Sequence, residues 1–145
     1  MKNINPLVSV IIPSYNGLPF LKDAIKSVLE QTYKNFELII VDDSSKDNTR
    51  EYVLNLIKKD KRIKYVKTPK NTGTTAAARN FGVKKSRGKF LSFLDADDLW
   101  HKHKLEKQID GLKKNTVISC TSCNYRTENT IKTSNFFVTF FRIFL

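Results

Sequence analysis

Asp95, Asp97 and Asp98 stand directly after an apolar run, Phe90-Leu91-Ser92-Phe93-Leu94. Two carboxylates two positions apart in extended chain point to one face, where they repel unless a cation joins them. Oxygen ligands suit Mg2+ or Mn2+, and Mg2+ characteristically takes one or two carboxylates and fills its shell with phosphate oxygens and water. Such a cation neutralises a diphosphate leaving group. The competing reading is a solvated acidic turn in which Asp98 caps a helix beginning near Leu99. A second acidic turn, Asp42-Asp43-Ser44-Ser45, closes another apolar run. There Asp43 is a candidate acceptor for a nucleobase imide or a ribose hydroxyl, as acidic residues after a second strand are in dinucleotide folds. Ser44 and Ser45 are read as satisfying turn backbone groups. A third turn, Pro13-Ser14-Tyr15-Asn16-Gly17, offers Tyr15 as a wall for a planar base and Pro13 as a rigid strand end. Gly17 supplies backbone freedom there.

Three further groups carry weaker signals. Arg79 follows the small residues Ala76-Ala77-Ala78, and an arginine in such a setting needs an anionic partner. A structural carboxylate and a ligand diphosphate both satisfy that need. His101 and His103 follow the acidic turn; they read as solvated helix-start residues, with a metal role for His101 as the alternative. Cys120 and Cys123 form a C-x-x-C with no second ligand pair after it and no strand-to-helix context. They read as ordinary thiols of a reducing compartment, which places the chain in the cytoplasm. No Gly-rich dinucleotide fingerprint, P-loop or nucleophile elbow is present.

The elements that must position these residues alternate in period. Leu7 to Ile12, Phe36 to Val41, Ile63 to Val66 and Phe90 to Leu94 are β-rich apolar runs, and Val117 to Cys120 reads as a fifth. Between them lie helical repeats: Leu21, Ile25, Val28 and Leu29; then Val53, Leu56 and Ile57; then the Ala-rich stretch Thr74 to Lys85; then Leu105, Ile109 and Leu112. Asp47 or Asn48 caps the second helix, with Glu51 placed for a capping box. Near-continuous apolar strands alternating with helices predict an α/β fold, a three-layer α/β/α arrangement with a mainly parallel sheet. In such a sheet the carboxyl ends of the strands share one edge, and ligands bind there. The three turns above all sit at strand ends. That convergence is the main argument for a site.

With 145 residues the chain makes one compact domain, and 40% hydrophobic residues allow a real core. Its net charge of +12 favours anionic partners, although a solvated basic surface accounts for most of the lysines. Aromatic residues do not interleave with the basic ones, so nucleic acid is an unfavoured partner. No stretch reaches the roughly 20 apolar residues of a membrane span, and no signal peptide is visible. After about Cys123 the pattern decays: Asn124 to Asn135 is polar and the aromatic tail has no clear period. The apolar run 136–145 reads as a contact for a membrane surface or a partner chain.

Four blocks together resemble the family 2 glycosyltransferases. They are Val8 to Asn16, Phe36 to Ser45, Asn71-Thr72-Gly73 with Ala78-Arg79-Asn80, and Phe93 to Asp98. They come in the family's order and cover roughly residues 7 to 115. The resemblance implies a GT-A fold, a nucleotide-diphosphate-sugar donor, UDP-linked before others, and a divalent cation, Mn2+ or Mg2+. It implies that Pro13, Tyr15 and Asp43 surround the base and ribose, and that Arg79 lies near the nucleotide. Asp95 and Asp97 match the family's D-x-D pair, Asp95 with the nucleotide sugar and Asp97 as the direct metal ligand. The implied reaction transfers a sugar to an acceptor hydroxyl in cell-envelope polysaccharide or glycolipid synthesis, at the inner face of the membrane. The family's acceptor-side base and the segments that shape its acceptor site come later than residue 145. Residues 1–123 are therefore expected to form a donor-binding half-domain, incomplete at the C-terminus, and 124–145 a degenerate or truncated tail. The alternative is an inactive fragment that binds nucleotide or a partner chain.

Overall fold

The computed structural model describes residues 5–114, 120–127 and 130–139. Strand β1 (Val8–Ser14) leads to helix α1 (Leu18–Leu29), β2 (Phe36–Asp42), α2 (Thr49–Lys59), β3 (Ile63–Lys67), α3 (Thr75–Val83), β4 (Phe90–Phe93) and α4 (Lys104–Lys114). The first four strands form one sheet in the order β3-β2-β1-β4. Every pairing in it is parallel: Ser14 aligns with Asp42, Ile11 with Phe93, and Asp42 with Lys67. Parallel strands covered on both faces need apolar side chains on both, and every residue of β1 and β2 is buried.

Alternation along the strands divides the core in two. Val8, Val10, Ile12, Leu38 and Ile40 face α1, α2 and α4 through Leu21, Ile25, Val28, Val53, Leu105 and Ile109. Ile11, Ile39, Val41 and Leu91 face α3 through Ala78. Each fully buried Val, Leu or Ile contributes roughly 1.5–3 kcal/mol, so these two clusters hold the three layers together. The expected α/β/α sandwich is the observed one.

Small residues set the spacing of α3. A Cβ at Gly82 would lie 2.7 Å from Ile11 Cγ2 and 2.9 Å from Val41 Cγ2. Overpacking of this kind costs about 1–3 kcal/mol and outweighs the better helix propensity of a larger residue. Gly82→Val is expected to lower the unfolding free energy by about 2 kcal/mol. Urea denaturation measures this, and an unchanged midpoint would show that α3 can ride higher on the sheet at no cost.

Helix α4 is fastened by Gln31, which is fully buried. Its amide donates to Ser27 O (3.1 Å) and His101 O (2.9 Å), and its Oε1 accepts from Leu105 N (3.0 Å). One side chain thus closes the end of α1 and the start of α4. A second buried polar group, Glu37, lies 3% exposed near the amino end of β2. Its carboxylate accepts from Ser9 Oγ (2.6 Å) and Arg87 N (2.6 Å), and pairs with Lys64 Nζ at 2.6 Å. Burial alone would raise this carboxyl; the bonds from Lys64, Ser9 and Arg87 overrule it and hold the pKa below the usual carboxylate range.

Several local expectations need correction. The capping box at α2 does not form: Asn48 makes no side-chain cap bond, and Asp47 Oδ1 accepts from Thr49 N at 3.1 Å instead. No helix begins near Leu99. The chain turns at Asp95–Asp98, where Asp98 N donates to Asp95 O (3.1 Å), and α4 starts at Lys104, so Asp98 is not a helix cap. Of the expected fifth strand at Val117–Cys120, residues 117–119 lie outside the described residues and Cys120 opens a strand. Strand β5 (Cys120–Thr127) pairs antiparallel with β6 (Thr130–Thr139) in a separate two-stranded sheet, and β6 runs beside β4. Cys120 and Cys123 sit on β5, opposite Thr139 and Ser134. Residues 140–145, the end of the apolar run, lie outside the described residues. Among the described residues no helix is long and apolar enough to cross a membrane.

Candidate functional site

The parallel register carries the three turns to one edge. Asp43 N donates to Ser14 O at 2.8 Å, and Leu94 N donates to Ile11 O at 3.1 Å. The ends of β1, β2 and β4 therefore finish side by side, with Pro13, Asp43 and Asp95 at a common level. The first two turns are laced together. Asn16 N donates to Ser45 Oγ (3.0 Å), Lys46 N donates to Asn16 Oδ1 (2.8 Å), and Leu18 N donates to Asp47 Oδ2 (3.2 Å). Asn16 and Ser44 adopt positive φ, 50° and 65°, in making these turns. Ser44 and Ser45 thus serve the turn backbone, as expected of them. Asp42 does the same from the opposite face: its Oδ1 accepts from Ser45 N (2.7 Å), and its Oδ2 accepts from the Tyr65 hydroxyl.

Above this edge, on the α3 side, is a cavity of about 320 Å³. Pro13, Tyr15, Asp43, Asn71, Gly73, Thr74 and Ala78 are among its walls. Tyr15 is a half-exposed large ring, 50% accessible. Asp43 is 5% exposed and held by the following loop. Thr68 Oγ1 donates to its Oδ1 (2.8 Å), Thr72 N donates to both oxygens (3.0 Å each), and Thr72 Oγ1 donates to Oδ2 (2.9 Å). Sequence reasoning singled out Asp43 but missed Thr68 and Thr72. Hydroxyl residues in loops are too common to announce such a contact, and nothing in their spacing marks it.

Arg79, Asp95 and Asp97 are not among the walls of this cavity; the acidic turn is linked to it through Arg79, the neighbour of the wall residue Ala78. The question left open at Arg79 is answered by geometry: its guanidinium pairs with Asp95 Oδ1 and lies over the Phe93 ring, 5.8 Å from the centroid. The turn also changes the argument for Asp95 and Asp97. Alternation in extended chain does not apply across a turn, and the two carboxylates differ in partner: Asp95 has Arg79, while Asp97 is exposed. Asp98 reports the resulting field. Burial first, then Asp95 and Asp97, push its carboxyl above the usual range. A cation fits such a donor set, because it would relieve the repulsion among three neighbouring carboxyls. Among the described residues no preformed group of three His, Cys, Asp or Glu could hold a metal alone. His101 and His103 are at the start of α4; His103 Nδ1 meets Glu106 Oε2 at 3.0 Å, in keeping with a helix-start role.

The family model described as glycosyl transferase family 2 matches residues 9–142. The chain belongs to this family. An uncharacterised glycosyltransferase of Haemophilus influenzae is 46% identical over 120 residues, which are 83% of this chain and 47% of that protein. WfgD of Escherichia coli, a UDP-Glc:alpha-D-GlcNAc-diphosphoundecaprenol beta-1,3-glucosyltransferase, is 47% identical over 77% of this chain and 43% of its own. The mannosyltransferase PcManGT of Pyrobaculum calidifontis, solved with GDP-Man and Mn2+, superposes with a TM-score of 0.73. It is 27% identical, and the match covers 83% of this chain and 37% of that one. The fold is the GT-A fold of these transferases. The match spans less than half the length of these two curated relatives, and less than a fifth of some others.

Proposed function

We propose that the cavity binds the nucleoside end of a nucleotide-diphosphate sugar, a UDP-sugar before others, and that the whole protein transfers the sugar to an acceptor hydroxyl. The observation that carries this is the meeting of a half-exposed aromatic ring and a buried, fully oriented carboxylate in one cavity, linked through Arg79 to an acidic turn, at the carboxyl edge of a parallel sheet. Tyr15 and Pro13 flank the planar base, and Asp43 accepts a hydrogen bond from it. Arg79 and Asp95 border the nucleotide beyond the base. Asp97 holds Mn2+ or Mg2+, with the diphosphate supplying the remaining ligands. When bound, the cation neutralises the charge that develops on the departing diphosphate. Residues 1–123 make up this donor half, with 124–145 following it.

The E. coli relative's name, with its UDP-glucose donor and diphosphoundecaprenol acceptor, supports a place in cell-envelope polysaccharide or glycolipid synthesis at the inner face of the membrane. The GDP-Man and Mn2+ of the P. calidifontis structure support the donor class and the cation.

Calorimetric titration tests the reading. UDP is expected to bind in the presence of Mn2+, and CDP at least about tenfold more weakly, since cytosine has no imide N–H for Asp43. Heats indistinguishable from dilution for UDP, GDP and CDP alike, with and without Mn2+, would remove the assignment.

A further inference from the structure

The Tyr15 side chain is half exposed and makes no hydrogen bond or ring contact among the described residues. Such a ring takes its place from its own backbone. On one side that backbone is sheet: Ser14 ends β1, and its carbonyl accepts from Asp43 N at 2.8 Å. On the other side stands Asn16, at φ 50°. Asparagine visits this left-handed region more readily than most residues, but only as one conformation among several. Two bonds fix the choice. Asn16 N donates to Ser45 Oγ (3.0 Å), and Asn16 Oδ1 accepts from Lys46 N (2.8 Å). Ser45 is itself founded on the sheet. Its N–H donates to Asp42 Oδ1 at 2.7 Å, and the other oxygen of that buried carboxylate accepts from the Tyr65 hydroxyl on β3.

We propose that Asn16 and Ser45 are positioning residues for Tyr15: their clasp sets the ring against the base, and nucleotide binding feels them only through that ring. Neither is among the walls of the cavity, whereas Tyr15 is. The remaining side-chain tie between the two turns, Leu18 N to Asp47 Oδ2 (3.2 Å), falls at the start of α1, beyond Gly17. It holds the helix, and the glycine between leaves the ring's own backbone free of it. Either clasp bond alone still holds Asn16, so both must go before the turn is released. A ring already in place stacks without further ordering; a ring on a released turn is ordered by the ligand, and that cost comes out of the affinity. This rests on the nucleotide-site reading above, and the experiment separates the two.

UDP is titrated in Mn2+ into the wild type, Tyr15→Ala, the double variant Asn16→Gly with Ser45→Ala, and the triple variant that combines them. Glycine keeps the left-handed backbone accessible, so the clasp is removed without strain. Tyr15→Ala is expected to lose about tenfold in UDP affinity, the scale of one base stacked on an aromatic ring. The double variant should lose about fivefold by loosening the same stack. The triple variant should bind as Tyr15→Ala does, because the clasp has nothing left to position. Ser45→Thr, which keeps the acceptor, should bind as the wild type does. A double variant that binds UDP like the wild type would overturn the proposal. An equal further loss in both backgrounds would also overturn it, since independent effects add and a merely structural role weakens every background alike. If Tyr15→Ala changes UDP affinity by less than about twofold, the wall and the proposal both fall and the nucleotide site stands. Failure of the wild type to bind UDP would remove the site reading itself.

Discussion

Asp97→Ala is expected to reduce Mn2+-dependent UDP binding by at least about a hundredfold, close to 2.7 kcal/mol at 1.36 kcal/mol per tenfold. The argument rests on division of labour within the acidic turn. Asp95 is already neutralised by Arg79. Asp98, exposed like Asp97, has its carboxyl raised above the usual range, by partial burial first and then by its two neighbours. Asp97 is exposed and has no ion-pair partner among the described residues. With Asp98 it is one of two exposed carboxylates of the turn, and its match to the D-x-D pattern selects it for the test. Two controls sharpen the result. Chelating the metal from the wild type should bring its affinity down to that of Asp97→Ala, and chelation should then change nothing further in the variant. Asp97→Asn, which keeps the shape and removes the charge, should behave like alanine. Equal UDP binding by wild type and Asp97→Ala, both still sensitive to chelation, would transfer the role to Asp95 or Asp98.

Glu37→Ala should destabilise the fold by about 3 kcal/mol and leave the site's chemistry untouched. Glu37 lies at the opposite, amino end of the sheet, where Ser9, Arg87 and Lys64 all donate to its carboxylate. Removing one partner of a buried, hydrogen-bonded pair strands the others; here Arg87 N and Ser9 Oγ lose their acceptor. Lys64 is about one-third exposed, which moderates the penalty on its side. The same group sets part of the acid limb. Its folded pKa is depressed, so its contribution is complete above the unfolded carboxyl value of about 4.3 and is lost as pH falls through the lower folded value. Denaturant curves taken between neutral pH and about pH 3 should show the wild type losing more stability on acidification than Glu37→Gln. Parallel pH profiles for the two proteins would show that the cluster is already broken.

The readable parts of this protein were those fixed by local pattern. Val8 to Ile12 and Phe36 to Val41 are apolar enough to be strands buried on both faces, and they are. Leu21, Ile25 and Val28 repeat at helical spacing and pack on the first face. Once the strands are parallel, register brings the carboxyl ends of β1, β2 and β4 to one edge. The start of α4 was misread because Asp98 followed by Leu99 imitates a cap, whereas the real fastening is Gln31, about 70 residues away in sequence. The pair of strands β5 and β6 was missed for a related reason. Polar residues between Asn124 and Asn135 show no alternation, and strand pairing there is decided between segments rather than within one. At the site, the chain announced the carboxylates and Arg79, but not Thr72 and not which groups meet. Arg79 and Thr72 reach Asp95 and Asp43 across 16 and 29 positions, distances over which spacing carries no signal.

The lacing of Asn16 to Ser45 and Lys46 has a mechanical consequence. With Asp47 also gripping Leu18, the loops after β1 and β2 are one body, bolted to the sheet beneath them. The base end of the cleft is thus a fixed jaw. The connector from Asp97 to His103 has no regular element of its own until Lys104, yet it too is tied down, to the end of α1: Trp100 N donates to Ser27 Oγ (3.1 Å), Gln31 Nε2 to His101 O (2.9 Å) and Thr32 N to Lys102 O (2.9 Å). Loops and connector alike are held by bonds between segments distant in sequence.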